Sequence, residues 1–241
     1  MKNPQDYLAL ALDNISSANQ IEALVEQTKN SIGTYKVGLE QFTRFGAPVL
    51  DIIRKHNRKI FLDLKFHDIP NTVYQAVKAA CSLEVDFLTL HCSGGSEMLK
   101  YARKASDEVR AQKKKAPALI GVTLLTSIGP EILKNELAIP EGPSEYVKRM
   151  TAAAITASLD GIVCSAADLA TVKKSVPEHF EIITPGIRPL GTDAGDQKRI
   201  ATPEDAIRSG ATLLVLGRAV TEMKDPGKAA EKICGSIDKL L

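Results

Sequence analysis

Tryptophan is absent from this 241-residue chain and aromatic residues make up only 5% of it, which leaves little with which to build a base-stacking platform for nucleic acid. An excess of one charge is lacking too: the formal net charge of +2 is too near neutral for a nucleic-acid or membrane surface. The one basic run, Lys113-Lys114-Lys115, follows a helical pattern and reads as a solvated helix end rather than a phosphate patch. Cysteines are few and scattered. Cys81, Cys92, Cys164 and Cys234 form no CxxC pair and each falls in an apolar segment, so free thiols in a reducing compartment are expected. At this length most of the unfolded surface is buried on folding, and neither disulfides nor a structural metal is needed. No stretch approaches the ~20 apolar residues of a spanning helix. The opening MKNPQDYLALALD holds an apolar run too short for a signal peptide, and it ends in Asp13 rather than a small-residue cleavage site. These absences predict a cytoplasmic protein without nucleic-acid or membrane partners.

What is there is a repeat of near-continuous hydrophobic runs. YLALAL (7–12), TYKVGL (34–39), KIFLDL (59–64) and VDFLTLH (85–91) come first, then ALIGVTLL (118–125), DGIVCS (160–165), EIITPG (181–186) and TLLVLG (212–217). Such runs suit parallel strands covered on both faces. Helical patterns fill the gaps at 16–26, 39–56, 69–83, 96–113, 144–158, 166–176, 203–209 and 226–241. Eight strand–helix units predict an α/β fold, a (β/α)8 TIM barrel, over 1–241 as one domain, since no Pro/Gly/Ser-rich linker divides the chain. An open doubly wound sheet is the alternative, but no GxGxxG follows the first run.

In such a barrel the strand C-terminal ends carry the chemistry. Asp13 ends strand 1, Lys36 lies within strand 2, and Asp63 and Lys65 end strand 3, with His91, Thr126, Pro185, Arg188, Gly217 and Arg218 at or after later strands. The two-residue period places Asp63 and Lys65 on one side and Leu64 on the other, with Lys36 reaching the same space from the next strand. Buried charges must neutralise one another or a ligand. One such pair would read as a structural ion pair; several titratable residues converging on adjacent strand ends read as a functional site. The segment ITPGIRPLGTDAGDQKR, with Arg188 and Gln197, and the turn LGRAVT, with Gly217 and Arg218, sit after strands 7 and 8, where this fold commonly holds phosphate. His91, a lone strand-end imidazole, is expected to be structural and satisfied by hydrogen bonding.

Over nearly its whole length the sequence resembles the orotidine 5'-monophosphate decarboxylase family. The carriers are LALD (10–13), YKVG (35–38), DLKFHDIPNT (63–72), HCSGG (91–95), VTLLTS (122–127), TPGIRP (184–189) and LGRAVT (216–221), in the family's order. The DxKxxD core is shared with a wider group of sugar-phosphate enzymes; HDIPNT, LTS and PGIRP narrow it to the nucleotide decarboxylase. The resemblance implies loss of CO2 from carbon 6 of the orotate ring to give uridine monophosphate, the last step of its de novo synthesis, without metal or organic cofactor. It implies that Lys65 protonates carbon 6, that Asp63 faces the departing carboxylate, and that Lys36 contacts Asp63 and the ribose, which Asp13 also binds. Thr126 corresponds to a contact of the pyrimidine amide, and Ile69 and Pro185 to substrate-binding positions. Arg188, Gln197, Gly217 and Arg218 match the phosphate-gripping set. Asp68 and Thr72 match residues inserted into the partner's active site, which implies a homodimer with shared sites.

Two other readings remain open at this point. One is a Mg2+-dependent sugar-phosphate decarboxylase or synthase with the same DxKxxD core; as the resemblance goes, those carry an acidic metal ligand on strand 2, where this chain has Lys36. The other is a non-catalytic barrel that binds a phosphate ligand.

Overall fold

The computed structural model describes residues 2–189 and 201–241. Strands β1 (Leu8–Ala11), β2 (Thr34–Gly38), β3 (Lys59–Phe66), β4 (Phe87–His91), β5 (Ala118–Val122), β6 (Gly161–Val163), β7 (Glu181–Thr184) and β8 (Leu213–Leu216) pair in parallel in chain order, and β8 returns to β1 to close a barrel. Around it lie α1 (Ala18–Thr28), α2 (Leu39–Phe45), α3 (Pro48–Arg54), α4 (Pro70–Cys81), α5 (Gly95–Ala111), α6 (Pro143–Thr156), α7 (Leu169–Lys173), α8 (Pro203–Arg208), α9 (Arg218–Thr221) and α10 (Pro226–Asp238). The (β/α)8 TIM barrel expected from the hydrophobic runs is the fold, and the open sheet is excluded by closure.

Local signals set many of the boundaries. Ser17 caps α1, its hydroxyl accepting a hydrogen bond from the Gln20 amide. Proline opens α3, α4, α6, α8 and α10, where its missing amide proton costs nothing. The segment 39–56, expected as one helix, is two. Gly46, in the left-handed region at φ 63°, ends α2, and Pro48 starts α3. Strand β5 stops at Val122 rather than at residue 125; Thr123 still donates to the Val163 carbonyl, and Leu124 to Thr126 turn over the barrel mouth. The basic run is not wholly solvated either, since Lys115 pairs with Asp86 at 2.8 Å.

Strand alternation sorts the apolar residues into two cores. Leu8, Leu10, Ile60 and Leu62 face outward into the layer between strands and helices. Ala9, Ala11, Phe61, Ile120, Ile183, Leu213 and Val215 fill the lumen. The small Ala9 and Ala11 leave room for Phe61, 1% exposed and edge-to-face with Phe87 at 5.9 Å. Burial of a phenylalanine of this kind contributes about 1.5–3 kcal/mol. The same parity lifts polar residues onto this apolar floor: Asp13 follows Ala11 by two, and Asp63 follows Phe61 by two. All four cysteines are free, three of them buried, and burial pushes the thiols of Cys92 and Cys164 up to about 12, which disfavours the thiolate at neutral pH. No helix among the described residues is long and apolar enough to cross a membrane.

Candidate active site

Four side chains from three neighbouring strand ends form one chain of alternating charge. Register places Ala11 beside Lys36 and Gly38 beside Asp63, so β1, β2 and β3 deliver their polar residues to one level. Lys36 Nζ donates to both oxygens of Asp13 at 3.2 Å and lies 3.4 Å from Asp63 Oδ2. Lys65 Nζ donates to the same Asp63 Oδ2 at 2.8 Å. Asp63 is 8% exposed. Burial pushes its carboxyl up, but the two ammonium groups and hydrogen bonds from Lys65 and Thr89 outweigh burial and hold it below the ordinary 3.8.

The strand that carries Lys65 is irregular. Asp63 and Lys65 share a side, as the two-residue period predicts, yet β3 places three residues between Leu62 and Phe66 where β4 places one between Leu88 and Leu90. Lys65 sits at the slip with φ 50°, in the left-handed region, which costs a non-glycine residue roughly 1–2 kcal/mol. Strain of this kind persists where the surroundings over-determine it and clusters at functional sites.

The ion chain borders two adjoining cavities. A cleft of about 780 Å³ is lined in part by Asp13, Lys36, Pro185, Arg188, Gly217 and Arg218. A cavity of about 270 Å³, sharing Lys36, Pro185 and Val215 with it, is lined by Asp63, Lys65 and Thr126. Together they give a polar, cationic pocket and a smaller, drier one beside Lys65, within the range of small-molecule sites. Arg188 is 7% exposed; burial, then the neighbouring Arg218 guanidinium, lower its pKa against the pull of Glu222. A side-chain carbon at Gly217 would meet nothing within 4 Å, so the backbone there opens on the cleft.

Most predicted site residues therefore converge: Asp13, Lys36, Asp63, Lys65, Thr126, Pro185, Arg188, Gly217 and Arg218. Asp68, Ile69 and Thr72 do not line this chain's own cavities. They are exposed at the start of α4, where the Asp68 carboxylate accepts the Ile69 amide at 2.6 Å and Ile69 is 68% exposed. Gln197 lies outside the described residues. His91 needs correction: among the described residues its ring makes no hydrogen bond, and it packs instead against His67 with centroids 5.3 Å apart. Burial, then the charges of His67 and Lys65, lower its pKa, because a crowded cationic neighbourhood disfavours a further proton.

Two contributors were not anticipated. Thr89, wholly buried on β4, donates to Asp63 Oδ1 at 2.9 Å. Gly38 is the other: a Cβ there would lie 3.0 Å from Asp13 Oδ1 and 3.1 Å from Lys36 Nζ, so any side chain would crowd the ion pair. Register could have pointed to Gly38, which sits directly beside Asp63; a threonine within a strand carries no comparable signal.

Fold and site together define a class: a barrel protein with an acid–base charge chain at its strand ends, centred on the buried Asp63, beside a cationic cleft suited to an anionic ligand. The comparisons with known proteins narrow it. Residues 6–233 match the family model of the orotidine 5'-phosphate decarboxylase / HUMPS family. An orotidine 5'-phosphate decarboxylase from Moorella thermoacetica is 40% identical over 235 residues, covering 97% of this chain and 93% of its own. The namesake from Thermosynechococcus vestitus is 47% identical over 203 residues, 84% of each chain. The crystal structure of orotidine 5'-phosphate decarboxylase from Lactobacillus acidophilus superposes with a TM-score of 0.84 at 33% identity, covering 96% of this chain and 98% of that one. The chain belongs to the orotidine 5'-phosphate decarboxylase / HUMPS family.

Proposed function

We propose that this protein removes CO2 from carbon 6 of orotidine 5'-monophosphate to give uridine 5'-monophosphate. The observation that carries the reading is the unbroken sequence Asp13–Lys36–Asp63–Lys65, with spacings of 3.2, 3.4 and 2.8 Å, at the floor of a cleft that also holds Arg188 and Arg218.

When the bond from carbon 6 to the carboxylate breaks, its electron pair stays on carbon 6 in an orbital orthogonal to the ring π system. Delocalisation helps little, so the developing anion needs a charge already in place. The Lys65 ammonium supplies it, and transfer of its proton to carbon 6 completes the product; the neutral amine then regains a proton from water. Asp63 holds the ammonium oriented, and Lys36 offsets the second charge while reaching toward the ribose with Asp13. Thr126 faces the pyrimidine amide. Arg188, Gly217 and Arg218 take the phosphate, with Gln197 assigned to the same set by family likeness. Binding energy from that remote phosphate helps to orient the ring and exclude water.

Asp68, Ile69 and Thr72 belong to this proposal as contributions to a partner's site in a homodimer. Their exposure at the barrel mouth, outside their own cavities, supports that role.

The Mg2+-dependent alternative is disfavoured by the donor set. Among the described residues no group of three His, Cys, Asp or Glu is placed to hold a metal ion, and the Lys36 ammonium 3.4 Å from Asp63 would repel a dication. The test is a spectrophotometric assay with orotidine 5'-monophosphate, with and without chelator. Turnover unaffected by chelator is expected; no turnover refutes the reading, and turnover abolished by chelator favours the metal-dependent one.

A further inference from the structure

We propose that Thr89 is a positioning residue for Lys65: its single hydroxyl ties the Asp63 carboxylate to the Lys65 backbone and so fixes the direction of the ammonium. The kinetic consequence rests on the decarboxylase reading above.

The hydroxyl is fully committed. The Lys65 amide donates to Thr89 Oγ1 at 2.9 Å, so the oxygen accepts there and its one proton goes to Asp63 Oδ1, also at 2.9 Å. Thr89 is 0% exposed, and water does not substitute freely for it. Its position coincides with the place where strand pairing fails. The β3–β4 ladder slips between Leu62 and Phe66, opposite Leu88 to Leu90, and Thr89 is the residue of β4 inside that slip. A backbone N–H in an interrupted ladder still needs an acceptor. The Thr89 side chain provides one, at the residue whose φ of 50° is otherwise unfavourable.

The result is a three-point frame. Asp63 Oδ2 receives the Lys65 ammonium at 2.8 Å, Asp63 Oδ1 receives Thr89, and Thr89 receives the Lys65 amide. Both ends of Lys65 are thereby referred to one buried oxygen on a neighbouring strand. Such preorganisation matters because a charge that need not reorient during the reaction stabilises the transition state most.

The test compares Thr89→Val, Thr89→Ala and Thr89→Ser with the parent in two readouts. One is the kinetics with orotidine 5'-monophosphate; the other is the 13C titration of the Asp63 carboxyl in the ligand-free protein. Thr89→Val and Thr89→Ala should lower kcat by roughly 10- to 100-fold, as removal of hydrogen-bond partners behind site groups does elsewhere, with KM changed by no more than about threefold. In both, the Asp63 carboxyl should titrate at higher pH than in the parent, and Thr89→Ser should restore kcat and titration together. Parent-like kcat and titration in Thr89→Val would overturn the proposal. So would a Thr89→Ser variant as impaired as Thr89→Val, since the methyl group and not the hydroxyl would then matter. If Thr89→Val does not fold, Thr89→Ala against Thr89→Ser decides the same question. Should the parent fail to turn over this substrate, the decarboxylase reading falls, while the Asp63 titration still decides whether Thr89 frames the pair.

Discussion

Replacing Asp63 with asparagine removes the one negative charge that two ammonium groups share while keeping an oxygen for Thr89. At 2.8 Å from Lys65 and 3.4 Å from Lys36, and with an effective dielectric of about 20, the attractions are roughly 6 and 5 kcal/mol. Most of this is cancelled. A carboxylate only 8% exposed has lost its hydration, and the Lys65 side chain, 29% exposed, is partly screened by water. The expected loss is therefore about 2–4 kcal/mol, at or below the usual cost of breaking a buried pair. For a chain of this length that corresponds to a fall in Tm of roughly 4–16 °C. The effect has a pH signature. The folded-state pKa of Asp63 lies below the ordinary 3.8, so its stabilisation is fully present above that value and is lost as pH falls through the lower, folded value. Urea unfolding followed by circular dichroism at a series of pH values measures this. The gap between parent and Asp63→Asn should be constant from about pH 7 to pH 5 and close below about pH 4. A variant as stable as the parent at pH 7, or a gap that closes above pH 5, would refute the ion-chain reasoning.

Two further outcomes follow from the cleft and the rim. Arg188→Ala and Arg218→Ala should each lower kcat/KM for orotidine 5'-monophosphate by roughly 10- to 100-fold, the value of a charge-assisted hydrogen bond to phosphate, in steady-state kinetics. Equal mixtures of inactive Lys65→Ala and Asp68→Ala chains should regain roughly a quarter of the parent activity, because half the dimers are mixed and one of two sites in each is wholly native. No recovery, with subunit exchange demonstrated, counts against Asp68 acting in a partner's site.

The barrel was legible because parallel strands buried on both faces must be apolar throughout, and YLALAL or TLLVLG have few other uses. The charged residues were legible for the converse reason: Asp13, Asp63 and Lys65 interrupt apolar runs where a core strand has no need of charge. What was hidden depends on geometry that periodicity does not encode. The slip between β3 and β4 is invisible to a two-residue period, and with it the left-handed Lys65 and the task of Thr89. The break between α2 and α3 lay behind an unbroken apolar pattern, although the Gly46–Pro48 spacing marked it. His91 looked like a solitary imidazole because its companion, His67, is distant in sequence and close only after β3 and β4 pair. The use proposed for Asp68, Ile69 and Thr72 rests on a second chain, which no pattern within one sequence encodes.

The most direct measurement is turnover of orotidine 5'-monophosphate by Lys65→Ala, alongside its circular dichroism spectrum. A folded variant whose kcat falls by at least about 10⁴-fold is predicted, since the proposed mechanism draws both its proton and the charge facing carbon 6 from Lys65. A folded Lys65→Ala that turns over substrate within tenfold of the parent would contradict the assignment of that ammonium to the chemical step.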